Sequence, residues 1–212
     1  MPLDLGDVVK KAVSLQRPHQ RVIIGLAGIP GSGKSTLAES LALAFVQTGI
    51  TAQVVSMDGF HYASEVLKQQ GLLERKGSPE TFDVQSFYRI LQTLKGHAQS
   101  ATAAARSIMI PIYSREIHEP VSNAVHIPSS TQFVILEGNY LYFQAPIWRD
   151  VGRLIDLKLF LDRPLEEARE RLILRHRQGG LSEEEAAEKY DRVDLPNSQL
   201  VLGTKKAADW II

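Results

Sequence analysis

The chain has 212 residues, 44 % of them hydrophobic, with Lys+Arg 24 balancing Asp+Glu 24 at a formal net charge of zero. That length suits one domain with a real core, and the absent basic excess argues against a general nucleic-acid binder. Cysteine is missing altogether, which excludes a disulfide framework, a thiolate metal site and a cysteine nucleophile.

The N-terminus, MPLDLGDVVKKAVSLQ, sets Leu5, Val8, Val9, Ala12 and Val13 at helical spacing. It lacks the unbroken apolar core and cleavage site of a signal peptide, and no stretch reaches the ~20 apolar residues that span a bilayer. A cytoplasmic protein without a membrane partner is expected. RVIIGLAG (21–28) is a β-rich run, STLAESLALAFVQTG (35–49) has helical apolar spacing, and TAQVVSM (51–57) is a second strand. Strand, helix and strand in this order make a βαβ unit, hence a parallel sheet. VQSFYRILQTLKG (84–96) predicts an amphipathic helix. SIMIPIY (107–113), FVILEG (133–138) and LIDLKLFLD (154–162) predict strands, with a strand-loop-strand excursion over 114–130. Helices are predicted over 164–178 and 182–193, joined by Gly179-Gly180, and ADWII at the end predicts an edge strand. Such alternation predicts an α/β fold with a doubly wound parallel sheet, a single domain over 1–212 with a helical lid at 163–192.

GIPGSGKS (28–35) fits G-x-x-x-x-G-K-[ST] between a predicted strand and a predicted helix, the context this phosphate-binding loop requires. Gly28, Pro30, Gly31, Ser32, Gly33, Lys34, Ser35 and Thr36 are therefore assigned to a nucleotide. The glycines let backbone N–H groups turn inward, and the helix N-terminus adds partial positive charge. Lys34 is expected at the β- and γ-phosphates and Ser35 at Mg²⁺. No N-K-x-D follows at Asn123, Asn139 or Asn197, and no LSGGQ-like signature is present, which argues against GTPases and transport ATPases.

In parallel α/β sheets sites lie beyond the carboxyl ends of the strands, where Asp58 and Glu137 are predicted. If their strands neighbour the first, one carboxylate can accept a hydroxyl proton while the other holds Mg²⁺. Asp58 in SMDGFHY also fits a plain Asp-Gly turn, and Glu137 a polar strand end.

Asp58-Gly59-Phe60-His61, RKGSPETFD (75–83), PIYSREIHEP (111–120) and VILEGNY (134–140) together resemble the uridine kinase, pantothenate kinase and phosphoribulokinase family of P-loop kinases. The likeness runs in order over residues 20 to 212 and is nearest to a compact bacterial branch labelled fructose-transport kinase-like. It implies an ATP-dependent kinase with Mg²⁺, Asp58 as catalytic carboxylate and Glu137 as the second, metal-side acid. It also implies Tyr113, His118 and Asp83 on the acceptor side, where His61, Arg75 and Arg115 join them. The same residues fit plainer roles: Asp83 a helix N-cap, His61 and His118 loop polar groups, Arg75 and Lys76 solvated charges. The chain departs from uridine kinases at Gly59 and His61, and it lacks the long N-terminal extension of pantothenate kinases.

In PLEEARERLILRHRQGG, Glu167 can pair with Arg171 and Glu166 with Arg169, but Arg175 and Arg177 have no acid three or four residues before them. Arginines beside a Gly-Gly hinge suit a lid that closes on phosphates, with Arg175, Arg171 and Arg177 as candidates. DLPNSQLV (194–201) resembles the family's adenine-side segment, which puts Asn197 near the base or at a helix cap. The expected acceptor is a small hydroxylated metabolite, a sugar or polyol first, a nucleoside or pantothenate next. A non-catalytic ATP-binding regulator of the same fold is the alternative from another class, and a monomer or homodimer is expected.

Overall fold

In a computed structural model, which describes residues 4–96 and 108–212, the elements run α1 (Leu5–Ser14), β1 (Val22–Gly28), α2 (Lys34–Gln47), β2 (Ala52–Ser56), α3 (Ser64–Gln69), α4 (Val84–Gly96) and β3 (Ile108–Ser114). They continue as β4 (Glu119–Ile127), β5 (Phe133–Gly138), α5 (Trp148–Arg153), β6 (Leu157–Leu161), α6 (Leu165–Gln178), α7 (Glu183–Lys189), α8 (Leu195–Leu202) and β7 (Trp210–Ile211). Position 107 of the expected third strand lies outside the described residues.

The sheet is parallel, in the order β2-β5-β1-β6-β7. Every residue of β1 and β5 is buried, as expected for strands covered on both faces. Alternation along β1 sends Ile23 and Ala27 into one core and Val22, Ile24 and Leu26 into the other. The second core is roofed by α1 and α2 through Val8, Ala12, Leu41 and Phe45. The first holds α4, α5 and α8 through Phe87, Leu91, Trp148 and Val201. Helices on both faces make the doubly wound α/β fold that the sequence pattern predicts, and β7 is the edge strand. No helix of the described residues is long and apolar enough to cross a membrane.

Four features depart from the sequence reading. First, β2 does not adjoin β1, because β5 lies between them. Second, β3 lies outside the main sheet and pairs antiparallel with β4 as a two-stranded arm. Buried Ile108 and Ile110 alternate with exposed Met109, the pattern of a one-sided sheet, until the register shift between Ile110 and Ile112 leaves Ile112 exposed. Third, the expected helix over 182–193 is α-helical only to Lys189 and then widens into a π turn, Tyr190–Asp194. The strand expected over 154–162 also starts late. The Asp156 carboxylate instead accepts from the Ile23 amide at 2.8 Å, extending the ladder with a side chain.

Candidate active site

The phosphate loop is made by two close approaches. A β-carbon on Gly28 would lie 2.7 Å from the Leu161 carbonyl oxygen, and one on Gly31 would lie 2.8 Å from that of Ala168. Gly31 and Gly33 also have φ of 76° and 98°, the left-handed region. Gly33 caps α2, whose first turn is left with its amides facing the loop. The Ser32 hydroxyl is buried with no hydrogen-bond partner among the described residues. Inward amides at a helix N-terminus, beside a buried orphan hydroxyl, form a cradle that fits phosphate.

Lys34 is buried, and its Nζ donates to the Ile29 carbonyl at 2.9 Å. Burial lowers its pKa from 10.5 to about 8, with Arg175 adding to the fall and Glu137 and Asp58 opposing it. Glu137, 6 % exposed, is pushed up by burial first and by Asp58 second, against the pull of Lys34, the Ser56 hydroxyl and Arg115. Burial thus outweighs mutual attraction for both groups. Among the described residues Glu137 has no ion pair within 4 Å, so the acid of β5 is a buried carboxylate in need of a cation.

Asp58 lies in a 3₁₀ turn, Met57–Phe60, just past β2. The Ser56 hydroxyl accepts from its amide at 3.2 Å. Because β5 intervenes, the order outward from the phosphate loop is Glu137, then Asp58. The turn still brings Asp58 close enough to act on Lys34, Glu137, His61, Tyr113 and Tyr140. Gly59 has a steric reason: a β-carbon there would sit 2.2 Å from the Pro111 carbonyl oxygen. The β3 arm therefore lies directly over the Asp58 turn.

His61 is the first residue of the acceptor-side wall. Its ring stacks on Phe82 at 3.9 Å and meets Tyr113 at 5.0 Å. Its Nδ1 is 2.8 Å from the Asp58 carbonyl oxygen, which only a protonated Nδ1 can serve. Burial lowers the ring's pKa, so the neutral form is favoured and Nε2 remains an acceptor. The Tyr113 hydroxyl donates to the His118 carbonyl at 2.8 Å and is pushed up to about 12, mainly by burial.

Lys76 closes this wall, a role its sequence neighbours do not reveal. It donates to Ser64 Oγ at 2.8 Å and to the His118 carbonyl at 2.7 Å, and lies 5.3 Å over the Tyr113 ring. Glu119 is 3.7 Å away and accepts from the Ser64 amide at 3.0 Å. These partners lie 12 and 42 residues away in the chain, beyond any local spacing pattern that could pair them. The adjacent Arg75 instead forms an exposed ion pair with Glu80 at 2.6 Å.

The other candidates disperse. Asp83 accepts from the Ser86 amide at 3.0 Å, the N-cap of α4. His118 stands exposed at the arm's tip with φ 54°, facing Gly179 at the end of α6. Asn197, expected near the base, lines a cleft with Glu80 and Phe82. Thr36 is exposed and Ser35 half-buried at the loop. On α6, Arg171 pairs with Glu167 at 3.9 Å and donates to the Ser32 carbonyl at 3.4 Å, so it sits over the phosphate loop. Arg177 is not without an acid: Glu183 of α7 comes within 3.4 Å. Arg169 lies over the Tyr190 ring instead of joining Glu166. Arg175 has no ion pair among the described residues, and its charge acts on both Lys34 and Tyr113.

Residues 23–212 match the profile of the Phosphoribulokinase / Uridine kinase family. A Schizosaccharomyces pombe protein provisionally named a uridine kinase is 36 % identical over 203 residues, 92 % of this chain and 84 % of its own. A Streptococcus agalactiae pantothenate kinase is 40 % identical over 130 residues, which is 60 % of this chain but 39 % of its own. Among solved structures, a provisionally named fructose transport system kinase from Silicibacter sp. TM1040 superposes with a TM-score of 0.88 at 33 % identity, covering 99 % of both chains. With the phosphate loop, two carboxylates and arginine-bearing helix in place, the chain belongs to the phosphoribulokinase and uridine kinase family of P-loop kinases, ATP-dependent phosphotransferases with a hydroxyl acceptor.

Proposed function

We propose that this kinase transfers the γ-phosphoryl group of ATP to a hydroxyl of a sugar or similar polyol-like metabolite, with Mg²⁺. The observation that carries the reading is the convergence of Lys34, Glu137 and Asp58 beneath a wall of hydrogen-bonding groups, His61 and Tyr113. Asp58 accepts the proton of the attacking hydroxyl. Neutral His61 offers Nε2 to a second hydroxyl and so orients the acceptor. Lys34, Arg171 and Arg175 meet the charge spread over the transferred group, where fixed cations in a dry site act most strongly. Raising phosphate oxygens against Lys34 restores its full charge by replacing the water it lost.

The donor set suits a hard divalent cation, which Ser35 and the carboxylates Glu137 and Asp58 would hold. When bound, Mg²⁺ neutralises charge on the phosphates and needs the deprotonated form of Glu137. Arg177 and the first-turn residue Thr36 complete the nucleotide side. Tyr113 borders the acceptor side, whereas Asp83, His118 and Arg75 have the capping, arm-tip and surface roles described above.

A nucleoside or pantothenate acceptor is the second reading, favoured by the names of the relatives in the family. The experiment is ADP release measured across sugars, other polyols, nucleosides and pantothenate. Stimulation by a sugar or polyol above the rate with water supports the first reading, and stimulation only by a nucleoside or pantothenate supports the second. ATP binding with no stimulation by any acceptor would make the protein a regulator that reads ATP.

A further inference from the structure

His176, in the last turn of α6, and Asp194, the last residue of the π turn, meet at 2.7 Å between Nε2 and a carboxylate oxygen. Their side chains are 11 % and 13 % exposed, the least of any oppositely charged pair among the described residues. A carboxylate only accepts, so Nε2 donates. Asp194 directly precedes α8, a place where an aspartate ordinarily caps its own helix. Its side chain makes no capping bond there and is directed instead to α6, 18 residues back.

The two ends of this bond are held very differently. After Leu172 no residue of α6 is buried, and α7 buries Ala186 alone. The π turn is rooted: Tyr190 and Val193 are buried, and the chain runs on into α8, whose Val201 lies in the first core. The bond therefore fastens the end of α6 to the body of the molecule. Arg169, 5.5 Å over the Tyr190 ring, ties an earlier turn of α6 to the same place. Arg175 stands between two fastenings. Leu172, three residues before it, lies against Gly31 of the phosphate loop, and His176 follows it directly. A helix pinned at Leu172 alone is free to fray over the next turn; pinned again at His176, it holds Arg175 to one direction.

We propose that His176 and Asp194 are positioning residues for Arg175: their bond fixes the last turn of α6 so that this arginine meets the transferred phosphoryl group. The inference rests on the reading that Arg175 stabilises that group, and it assigns the pair no contact with substrate. Arg175 has no ion pair among the described residues, and its charge acts on Lys34 and Tyr113, so nothing but its own helix directs it to the site.

The test is a double-mutant cycle read from ADP release, with the most stimulating acceptor of the panel above and with water alone. His176→Leu keeps the bulk and removes the donor, and Asp194→Ala removes the acceptor. Each should lower the saturated rate by roughly 10–100-fold, the cost of a misplaced group. ATP affinity by direct titration should stay within about twofold, since the loss falls on the transition state. His176→Gln, whose Nε2 still donates, should recover most of the rate. In Arg175→Ala the same substitutions should cost less than about twofold more, because the group they position is already gone. A merely structural bond would lower the rate equally in both backgrounds, and that additivity would overturn the inference. So would an unchanged rate in His176→Leu and Asp194→Ala, or the failure of both to fold. An unchanged rate in Arg175→Ala would remove the reading of Arg175 itself, and this inference with it.

Discussion

At Asp58 the question is which of two carboxylates takes the proton. A hydroxyl is a poor nucleophile at neutral pH, so a positioned base speeds attack as the bond to phosphorus forms. Asp58 faces the acceptor wall of His61 and Tyr113, whereas Glu137 lies deeper, beside Lys34. Asp58→Asn should lower kcat by roughly 10²–10⁴-fold with a modest loss of ATP affinity, measured by steady-state kinetics and direct ATP titration. A large loss of ATP·Mg²⁺ affinity with kcat retained at saturation would make Asp58 a metal holder. Lys34 supports a prediction of the opposite kind, a gain of stability on loss of function. Its folded pKa is about 8 against 10.5 unfolded, so between those values the unfolded chain binds the extra proton. Stability then rises with pH across that window, and below it the buried charge is a standing cost. Lys34→Met should abolish turnover yet raise the urea midpoint at pH 7, and the rise should shrink as pH approaches 10.5. A variant less stable than the parent at pH 7 would contradict this reading of the buried lysine.

Among elements, the β3–β4 arm covers the Asp58 turn, and α6 carries Arg171 over the phosphate loop. The arm rests on Gly59, where any β-carbon meets the Pro111 carbonyl. Gly59→Ala should therefore cost about 1–3 kcal/mol through displaced backbone, read from denaturant midpoints. It should also lower kcat, because the neighbouring Asp58 moves with the turn. The pair α6 and α7 is less uniform than its sequence implies. The first half of α6 is seated on the phosphate loop through Ala168 and Leu172, while α7 buries Ala186 alone. Hydrogen exchange should be slow around 165–172 and fast over 175–189 without ligands. It should slow in the second stretch when ATP·Mg²⁺ and the stimulating acceptor bind together. Equal protection with and without them would make these helices a fixed part of the core. Apolar spacing predicts helices that the fold contains as α1, α2 and α4. It does not predict the membership of the β3 strand, since a short alternating run reads alike in a main sheet or in an arm.

For the molecule as a whole, the site end and the opposite end of the sheet have separate supports. Arg21, 1 % exposed, donates to the carbonyls of Thr131, Leu94 and Pro128 at 2.9–3.0 Å, tying β1 to the end of α4 and the β4–β5 turn. Arg21→Met would leave those carbonyls without their donor, at roughly 3 kcal/mol, since bonds to charged groups are the stronger ones. Its kcat should stay within twofold, because no group it holds faces the phosphate loop. Thermal or urea unfolding beside steady-state kinetics checks both halves. The sequence by itself determined the phosphate loop, the parallel βαβ beginning, the two strand-end acids and the basic helix after β6. Each is a local pattern whose geometry follows from residues within one turn or one strand. Tertiary structure alone decided that β5 separates β1 from β2, which puts Glu137 nearer the loop than Asp58. It alone joined Lys76 to Ser64, His118 and Tyr113, gave Arg177 an acid from the next helix, and moved Asn197 into the cleft beside Phe82. Strand order and contacts between distant segments depend on how whole faces bury one another, and that information is not carried by the spacing of neighbouring residues.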